Sequence, residues 1–252
     1  WRKYSEELKD NTGISNNASI DVTSVDIEEN SNRDPVNYVL PPGVSRETDP
    51  SSTTLTLLNE QSLMLQVEGL EEGDAKAVYK SINMDFRNYE KLKMFVHAEA
   101  VEGEDLKDDD LYFFIRLGTD YNYNYYEYEL PLILTPEGNY SSNIEADRYT
   151  VWPDSNRINV PLDLFTSAKQ ARNTELHSAG SSISLQDIYT VTHDDWNGNK
   201  NSIKVKGSPN LGNVKIIMMG VRHKDISTVS PGGKSVIVWA NELRLTGIND
   251  EG

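Results

Sequence analysis

Hydrophobic residues are densest in the middle of the chain, where their pattern predicts two β-strands joined by a tight turn. Residues 111–117 are apolar apart from Arg116, and residues 123–132 are rich in tyrosine. Between them, residues 118–122 read Gly-Thr-Asp-Tyr-Asn, which is typical of a turn. A strand as apolar as the first one needs cover on both faces, so we expect it in the middle of a β-sandwich.

The second of these strands alternates in character. Because successive side chains of a strand point to opposite faces, the alternation separates its residues into two sets. One face is predicted to be apolar and the other amphipathic. The apolar face carries Tyr126, Tyr128 and Leu130, and the amphipathic face carries Tyr125, Glu127 and Glu129.

Short apolar runs continue along most of the chain and predict further strands bounded by turn residues. Pro161 suits the first position of a helix, so one short helix is predicted from there to about Leu176, whereas residues 136–150 predict a long loop. Roughly nine to eleven strands with one short helix indicate an all-β fold, an antiparallel β-sandwich of jelly-roll type. The other predicted strands cover residues 62–67, 75–82, 91–98, 157–160, 188–192, 203–206, 213–221 and 235–245.

Composition divides the chain in two. Residues 1–34 are rich in Asn, Ser, Asp and Glu and predict a polar arm or linker, with one short strand around residues 20–27 as the alternative. Residues 35–248 are predicted to form the β-sandwich domain. Three prolines within residues 33–43 favour extended backbone, so this segment should lie on the domain as an ordered strap that packs Tyr38 and Leu40 inward.

The chain is strongly acidic, with a formal net charge of −16. This charge argues against nucleic acid and anionic membrane surfaces as partners. The absence of cysteine excludes disulfides, thiolate metal sites and cysteine catalysis, and it favours an exported bacterial protein. The chain contains no run of about 18 apolar residues, so no transmembrane segment is predicted. The chain opens on Trp1 without a signal-peptide pattern, and we expect it to be a fragment.

Clustered aromatic residues give the first candidate binding site. Tyr121, Tyr123, Tyr125 and Trp196 are the residues that could form a flat platform for a sugar or a peptide. The alternative is that the tyrosines belong to the core and keep only their hydroxyl groups near water.

Metal sites have little support in the sequence. The four histidines (His97, His177, His193 and His223) show none of the spacings that bind zinc. Structural calcium is a possibility at the Asp108–Asp110 run and in residues 193–199, which resemble a calcium loop only loosely. The simpler interpretation is a solvated acidic loop, so no cofactor or metal is predicted.

Catalysis has no clear candidate either, and we predict that the chain is not an enzyme. Glycoside hydrolysis needs two acids facing one cleft. With 40 Asp and Glu residues in the chain, some pair of acids is always close, so proximity alone means little. The acids placed at or within predicted strands are Asp85, Glu99, Asp163 and Glu242.

Two resemblances extend this reading. The first resemblance rests on residues 85–98, on Trp152 with residues 157–165, and on the two closing strands at 214–221 and 236–245. In the last strand, Asn241 or Glu242 precedes the final apolar alternation. These segments resemble galactose-binding-like jelly rolls and carbohydrate-binding modules. The second resemblance is more specific. It runs in order through residues 33–44, 58–63, 73–80, 94–99, 114–120, 125–131 and 238–246.

These segments are similar to an internal region of the SprA/Sov family, the outer-membrane translocons of the type IX secretion system, which is linked to gliding motility. The resemblance implies a soluble, non-catalytic domain of a protein-conducting channel. Its partners would be other parts of the translocon barrel, associated proteins such as a PorV-type shuttle and a plug, and secreted cargo proteins. It implies the outer membrane as location, with the domain on the cell-surface side and the periplasmic side as the alternative.

Two other functions stay open at the level of sequence. The first is a carbohydrate-binding module of a surface glycan system, which would require exposed, coplanar aromatic side chains. The second is a glycoside hydrolase or lyase of jelly-roll fold, which would require an acid–base pair that the pattern does not supply.

Overall fold

A computed structural model of the chain describes residues 1–8, 17–51, 56–192, 198, 200–224 and 233–248. These residues form twelve β-strands and two α-helices, together with two short 3-10 turns. The strands are β1 (Arg2–Lys3), β2 (Ser19–Asp26), β3 (Gln61–Leu70), β4 (Ala75–Met84), β5 (Tyr89–Ala100), β6 (Leu111–Gly118), β7 (Tyr125–Pro131), β8 (Ile158–Pro161), β9 (Tyr189–Thr192), β10 (Ser202–Lys206), β11 (Val214–His223) and β12 (Lys234–Ile248), and the helices are α1 (Glu145–Val151) and α2 (Asp163–Leu176).

The strands form two antiparallel sheets that face each other. The seven-stranded sheet has the order β1-β4-β11-β6-β7-β10-β9, and the five-stranded sheet has the order β2-β3-β12-β5-β8. From β3 to β6 the chain crosses between the sheets at every step. The predicted all-β fold, an antiparallel sandwich of jelly-roll type, is therefore confirmed.

The central strand is where the hydrophobic pattern predicts it. β6 lies between β11 and β7 in the larger sheet. Its odd-numbered residues from Leu111 to Leu117 enter the main core between the sheets, together with Tyr126, Tyr128 and Leu130 of β7. Phe114, on the opposite face, belongs to a second apolar cluster that includes Tyr4 and Leu8 of the N-terminal segment. Both faces of β6 are therefore covered, as expected for so apolar a strand.

The prediction of a single short helix is wrong, because the structure contains two. The predicted helix is α2, which begins at Asp163, two residues after Pro161. The other, α1, lies within the predicted loop 136–150 and extends past it to Val151. Its N-cap residue is Ile144, which makes no side-chain capping bond, so the sequence carries no start signal there. Within the described part of the chain, neither helix has the length and apolar character needed to span a membrane.

The N-terminal segment, predicted as a polar arm or linker, contributes a strand to each sheet. β2 pairs with β3 along its whole length, which agrees with the alternative of a short strand near residues 20–27. β1 pairs with Val78 and Tyr79 of β4. Main-chain hydrogen bonds and packing therefore join residues 1–8 and 17–26 to the sandwich.

The proline-rich strap packs on the outer face of the five-stranded sheet. Tyr38 is fully buried, and its hydroxyl lies 2.9 Å from the Ser62 hydroxyl. The Trp152 indole N–H donates to the Val39 carbonyl over 2.9 Å, at the C-terminal end of α1. Tyr38 also packs edge-on against Trp152, so the strap and α1 hold each other in place. The sequence-based prediction of an ordered strap agrees with this packing, although Leu40 is only half-buried.

The indole hydrogen bond gives a testable prediction. Replacing Trp152→Phe keeps an aromatic ring but leaves the Val39 carbonyl without its buried donor. We expect the free energy of unfolding to fall by about 1–3 kcal/mol, the usual cost of an unsatisfied buried polar group plus some lost contact. Urea denaturation measures this loss, and an unchanged midpoint would show that the strap is not held by this contact.

Candidate functional site

The most densely charged buried region lies on the outer face of the seven-stranded sheet, away from the main core. It is organised around Glu127 and Glu129 of β7, which strand alternation places on the same face as Tyr125. Register brings Arg116 of β6 and Lys204 of β10 directly opposite Glu127, one on each side. Opposite charges are thus adjacent across both strand pairs.

Glu127 is surrounded by three cations. Its Oε2 atom accepts from Arg116 Nε at 2.9 Å and Nη2 at 2.6 Å. Its Oε1 atom accepts from Arg222 Nη1 at 2.7 Å, and Lys204 Nζ lies 3.3 Å away. Neither Glu127 nor Arg116 has any exposed surface, so the two form a buried ion pair. In this pair the Nε and Nη2 atoms of Arg116 both donate to the Oε2 atom of Glu127.

Glu129 shares two of these cations. Its Oε2 atom lies 2.6 Å from Lys204 Nζ and 2.5 Å from Arg222 Nη1, while its Oε1 atom lies 2.8 Å from Lys224 Nζ. We call the set the outer-face ion network. Its members are Arg116, Glu127, Glu129, Lys204, Arg222 and Lys224.

Aromatic rings complete the surroundings of the cations. The Arg116 guanidinium lies 3.7 Å from the centroid of Tyr125, and that of Arg222 lies 4.9 Å from the centroid of Phe114. Lys224 Nζ lies 3.7 Å from the Tyr112 ring. Ring faces attract cations, so these contacts offset part of the cost of removing the charges from water.

The network holds both carboxylates in their ionised form. Burial raises the pKa of Glu127, but the charges of Arg222, Arg116 and Lys204 outweigh it and hold the pKa well below its usual range. For Glu129, burial and the neighbouring Glu127 raise the pKa, while Lys204 and Arg222 lower it more. A carboxylate this firmly paired is a poor proton carrier, so the arrangement acts as a structural clamp between strands rather than as an acid–base pair.

A second polar cluster lies on the outer face of the other sheet, under the strap. His97 is fully buried and stacks on Trp239 with ring centroids 3.8 Å apart. Its Nε2 atom lies 3.3 Å from Glu99, whose other oxygen lies 2.5 Å from Arg33 Nη2. Glu99 also lines a pocket of about 580 Å³ next to Thr135.

The predicted aromatic platform does not come together as a flat, open surface. Tyr125 is fully buried beneath Arg116. Tyr121 is half-buried, and its ring packs edge-on to Tyr79 at 4.9 Å and tilted against Tyr4 at 5.1 Å. Tyr123 is exposed, with 51% of its surface accessible. Trp196 lies outside the described residues, and ligand binding by these four residues stays a prediction.

The four acids singled out from the sequence lie in separate places. Asp85 pairs with Arg87, whose hydrogen bond lowers the pKa of Asp85 to about 2. Asp163 lines a different pocket, of about 410 Å³, together with Arg87. Glu99 belongs to the cluster under the strap, and Glu242 sits at a bulge in β12, 3.1 Å from Arg244. These acids do not form a pair facing one cleft.

The acidic loop before β6 is used for local structure. Asp108 Oδ1 accepts from the Leu134 amide at 2.8 Å, and Asp110 Oδ2 accepts from the Lys107 amide at 2.9 Å. Asp109 pairs with Lys200. Within the described ranges, no group of three or more His, Asp or Glu side chains is arranged to hold a metal ion. Most of the second candidate, residues 193–199, lies outside the described residues.

The described histidines each bond a main-chain carbonyl. His97 reaches Val151, and His223 reaches Leu70 at 2.9 Å. His177 bonds Asn173 one helical turn earlier. His193 lies outside the described residues. Carbonyl bonding of this kind is typical of structural histidines.

Comparison with known sequences decides the family. The SprA_N family, described as "Motility related/secretion protein", matches residues 1–252. The chain belongs to this family. The SprA/Sov resemblance found in the sequence is therefore confirmed, and a role in motility or secretion follows from it at that level of detail.

Other comparisons add little. No curated protein matches the chain significantly. Among solved structures, the chain is similar to that of CtCBM11, from a study of its solution structure, dynamics and binding. The two share 12% identity with a TM-score of 0.36, covering 97% of this chain and 96% of that one. A likeness at that TM-score carries no argument about ligand or function.

The sequence pattern of this SprA_N domain did not predict the outer-face ion network. It placed Glu127 and Glu129 on an amphipathic face, which implies contact with water, whereas both are fully buried. One signal was available: Arg116 is the only charged residue in an otherwise apolar strand. A cation in a strand that must be covered on both faces needs an acidic partner nearby.

The network predicts a large effect for a single change. Replacing Arg116→Met leaves Glu127 buried with one cation fewer. We expect the free energy of unfolding to fall by about 3–5 kcal/mol, as is usual when one partner of a buried ion pair is removed. Chemical denaturation at neutral pH measures the change.

The matched control is Arg87→Ala, which removes an arginine from the exposed Asp85 pair. Exposed pairs contribute little because water screens them, so the denaturation midpoint should barely move. Equal effects of the two substitutions would contradict the importance given to the buried network.

Proposed function

We propose that this chain is a non-catalytic structural and interaction domain of a type IX secretion system outer-membrane translocon, serving protein export and gliding motility. The observation that carries the proposal is the SprA_N match over the whole of residues 1–252. The domain would contact other parts of the translocon barrel, its associated proteins and passing cargo. We place it at the outer membrane on the cell-surface side, with the periplasmic side as the alternative.

The geometry supports a scaffold without catalysis. The buried carboxylates of the outer-face ion network are paired with cations. The acids that the sequence offered as candidates for catalysis lie in separate places. Four strands of one sheet are cross-linked by the network, which suits a domain that must keep its shape beside a channel carrying protein. The net charge of −16 would also repel acidic cargo and limit non-specific adhesion.

The carbohydrate-binding alternative gains no specific support. Coplanar, exposed rings are what such a module needs, and of the three tyrosines proposed for it only Tyr123 is exposed. Binding of the purified chain to a glycan array, abolished by Tyr123→Ala, would restore this alternative.

The test of the proposal uses the full-length protein in a bacterium that secretes and glides with this system. We expect chromosomal Arg116→Met, which destabilises the domain, to lower both the amount of cargo released into the medium and the spreading of colonies. Arg87→Ala is the control and should leave both unchanged. The abundance of the full-length protein in the outer membrane is measured in parallel. Normal export and spreading with Arg116→Met, in a domain shown by proteolysis to be destabilised, would contradict the proposal.

A further inference from the structure

The cluster beneath the strap contains a buried histidine whose two ring nitrogens both face hydrogen-bond acceptors. His97 Nδ1 lies 2.8 Å from the Val151 carbonyl oxygen, at the end of α1. Its Nε2 atom lies 3.3 Å from Oε2 of Glu99, which is also on β5. The side chain of His97 has no exposed surface and that of Glu99 has 1%. These protein atoms therefore decide where the ring carries its protons.

Neither neutral form of the ring fits these contacts. A carbonyl oxygen can only accept, so Nδ1 must carry a proton to bond Val151. With a proton there alone, the lone pair of Nε2 would point at a carboxylate oxygen. With a proton on Nε2 alone, an unprotonated Nδ1 would lie 2.8 Å from the carbonyl oxygen. The imidazolium, which donates from both nitrogens, satisfies both contacts.

The neighbouring charges place the second proton on the ring rather than on Glu99. Arg33 Nη2 lies 2.5 Å from the other Glu99 oxygen, in an ion pair that requires the carboxylate to be ionised. The His97 ring stacks on Trp239 with centroids 3.8 Å apart, and the Arg33 guanidinium lies 5.4 Å from the centroid of Trp239. An aromatic face attracts cations, so Trp239 stabilises both positive charges beside the single carboxylate.

The other groups in contact with the ring are uncharged. The end of α1 contributes the Val151 carbonyl and the Trp152 ring, whose centroid lies 5.9 Å away. β12 contributes the Trp239 ring. The segment after β7 contributes the Thr135 hydroxyl, 3.0 Å from Nδ1, which can donate or accept. Among the described residues, charge therefore reaches the ring from β5 and from the strap.

Titratable groups further out lie along the approach to the cluster. Tyr38 of the strap directs its hydroxyl toward Ser62, 2.9 Å away. Glu99 itself lines the pocket of about 580 Å³, together with Lys107, Asp108 and Glu137. This pocket offers a route by which a proton can pass between solvent and the Glu99 side of the ring.

The cluster joins both the strap and α1 to β5. Arg33 is the first residue of the strap, and its Nη1 atom donates to the Val36 carbonyl over 2.8 Å. Trp152, the residue that follows α1, binds the strap through the Val39 carbonyl. A change at His97 is therefore passed to the strap through Arg33 and through the end of α1.

We propose that His97, Glu99 and Arg33 form a proton-dependent lock on the strap, closed while both ring nitrogens of His97 carry a proton. When the Nε2 proton leaves for solvent, Nε2 becomes an acceptor that faces a carboxylate. The Glu99 side chain and its Arg33 partner then move away from the ring. The lock is therefore closed on the acid side of the pH at which folded His97 loses this proton, and open on the alkaline side. This property of the fold does not depend on the role proposed in secretion.

The experiment is a pH series of NMR spectra on the purified chain, with isotope-labelled histidine ring nitrogens. Contacts with the Trp239 ring assign the His97 signals, and the Nε2 shift gives the pH at which that proton is lost. Exchange of the Trp152 indole proton, which bonds the Val39 carbonyl, measures opening of the strap in the same samples. We expect this exchange, corrected for the direct effect of pH, to become about tenfold faster over the same pH interval, because one charge-assisted hydrogen bond is lost.

Variants separate the lock from a general effect of pH. Glu99→Gln removes the charge that holds the proton on the ring, so His97 should lose it at a lower pH and the step in Trp152 exchange should disappear. Glu137→Gln removes a carboxylate from the same pocket and should keep the step. The Gly207 amide, just after β10 in the other sheet, should show no step in any of the three proteins.

An Nε2 atom that carries no proton wherever the chain is folded would overturn the proposal. So would a constant rate of Trp152 exchange, a step at a pH unrelated to the His97 titration, or an unchanged step in Glu99→Gln. If Glu99→Gln does not fold, the two midpoints measured in the native chain still decide.

Discussion

The structure depends on keeping two carboxylates ionised inside a sheet. Glu127 and Glu129 lie next to each other on one face of β7, where they would repel each other and lose hydration on burial. Cations from β6, β10 and β11, together with Lys224, surround them at salt-bridge distance. Because these cations lie on β6, on β10 and at the end of β11, the charges are satisfied only when these three strands and β7 stand in one register. A shift of strand register would separate these charges and leave the carboxylates buried without their partners.

The pairing of these charges limits which side chains are available for catalysis and which surfaces are available for interaction. The two buried carboxylates are paired with four cations and offer no free acid or base, which agrees with the structural role proposed for this SprA_N domain. The cluster of His97, Glu99 and Arg33 serves the other sheet similarly by joining the strap to its outer face. The net charge of −16 gives the chain a mainly negative character for any interaction at its surface.

Local patterns predicted local features well and long-range features poorly. Alternation in β7 assigned each side chain to its correct face, and the apolar run of β6 placed that strand at the centre. Arg116 was the one signal in the sequence for the burial of Glu127, whereas the contact with Arg222 could not be predicted because Arg222 is 95 residues away and approaches only through strand pairing. α1 was missed because its start lacks a capping side chain. The strands in the polar N-terminal segment were hard to predict because edge strands need few apolar residues.

The most direct test of the central claim is an NMR titration of the Glu127 side-chain carboxyl carbon in the folded chain. The ordinary pKa of a glutamate is 4.5, and the surrounding cations should hold that of Glu127 well below it. Its contribution to stability would then be complete above about pH 4.5 and be lost only as the pH falls through the lower, folded value. A Glu127 carboxyl that titrates at or above 4.5 would show that burial outweighs the cations and would contradict the account.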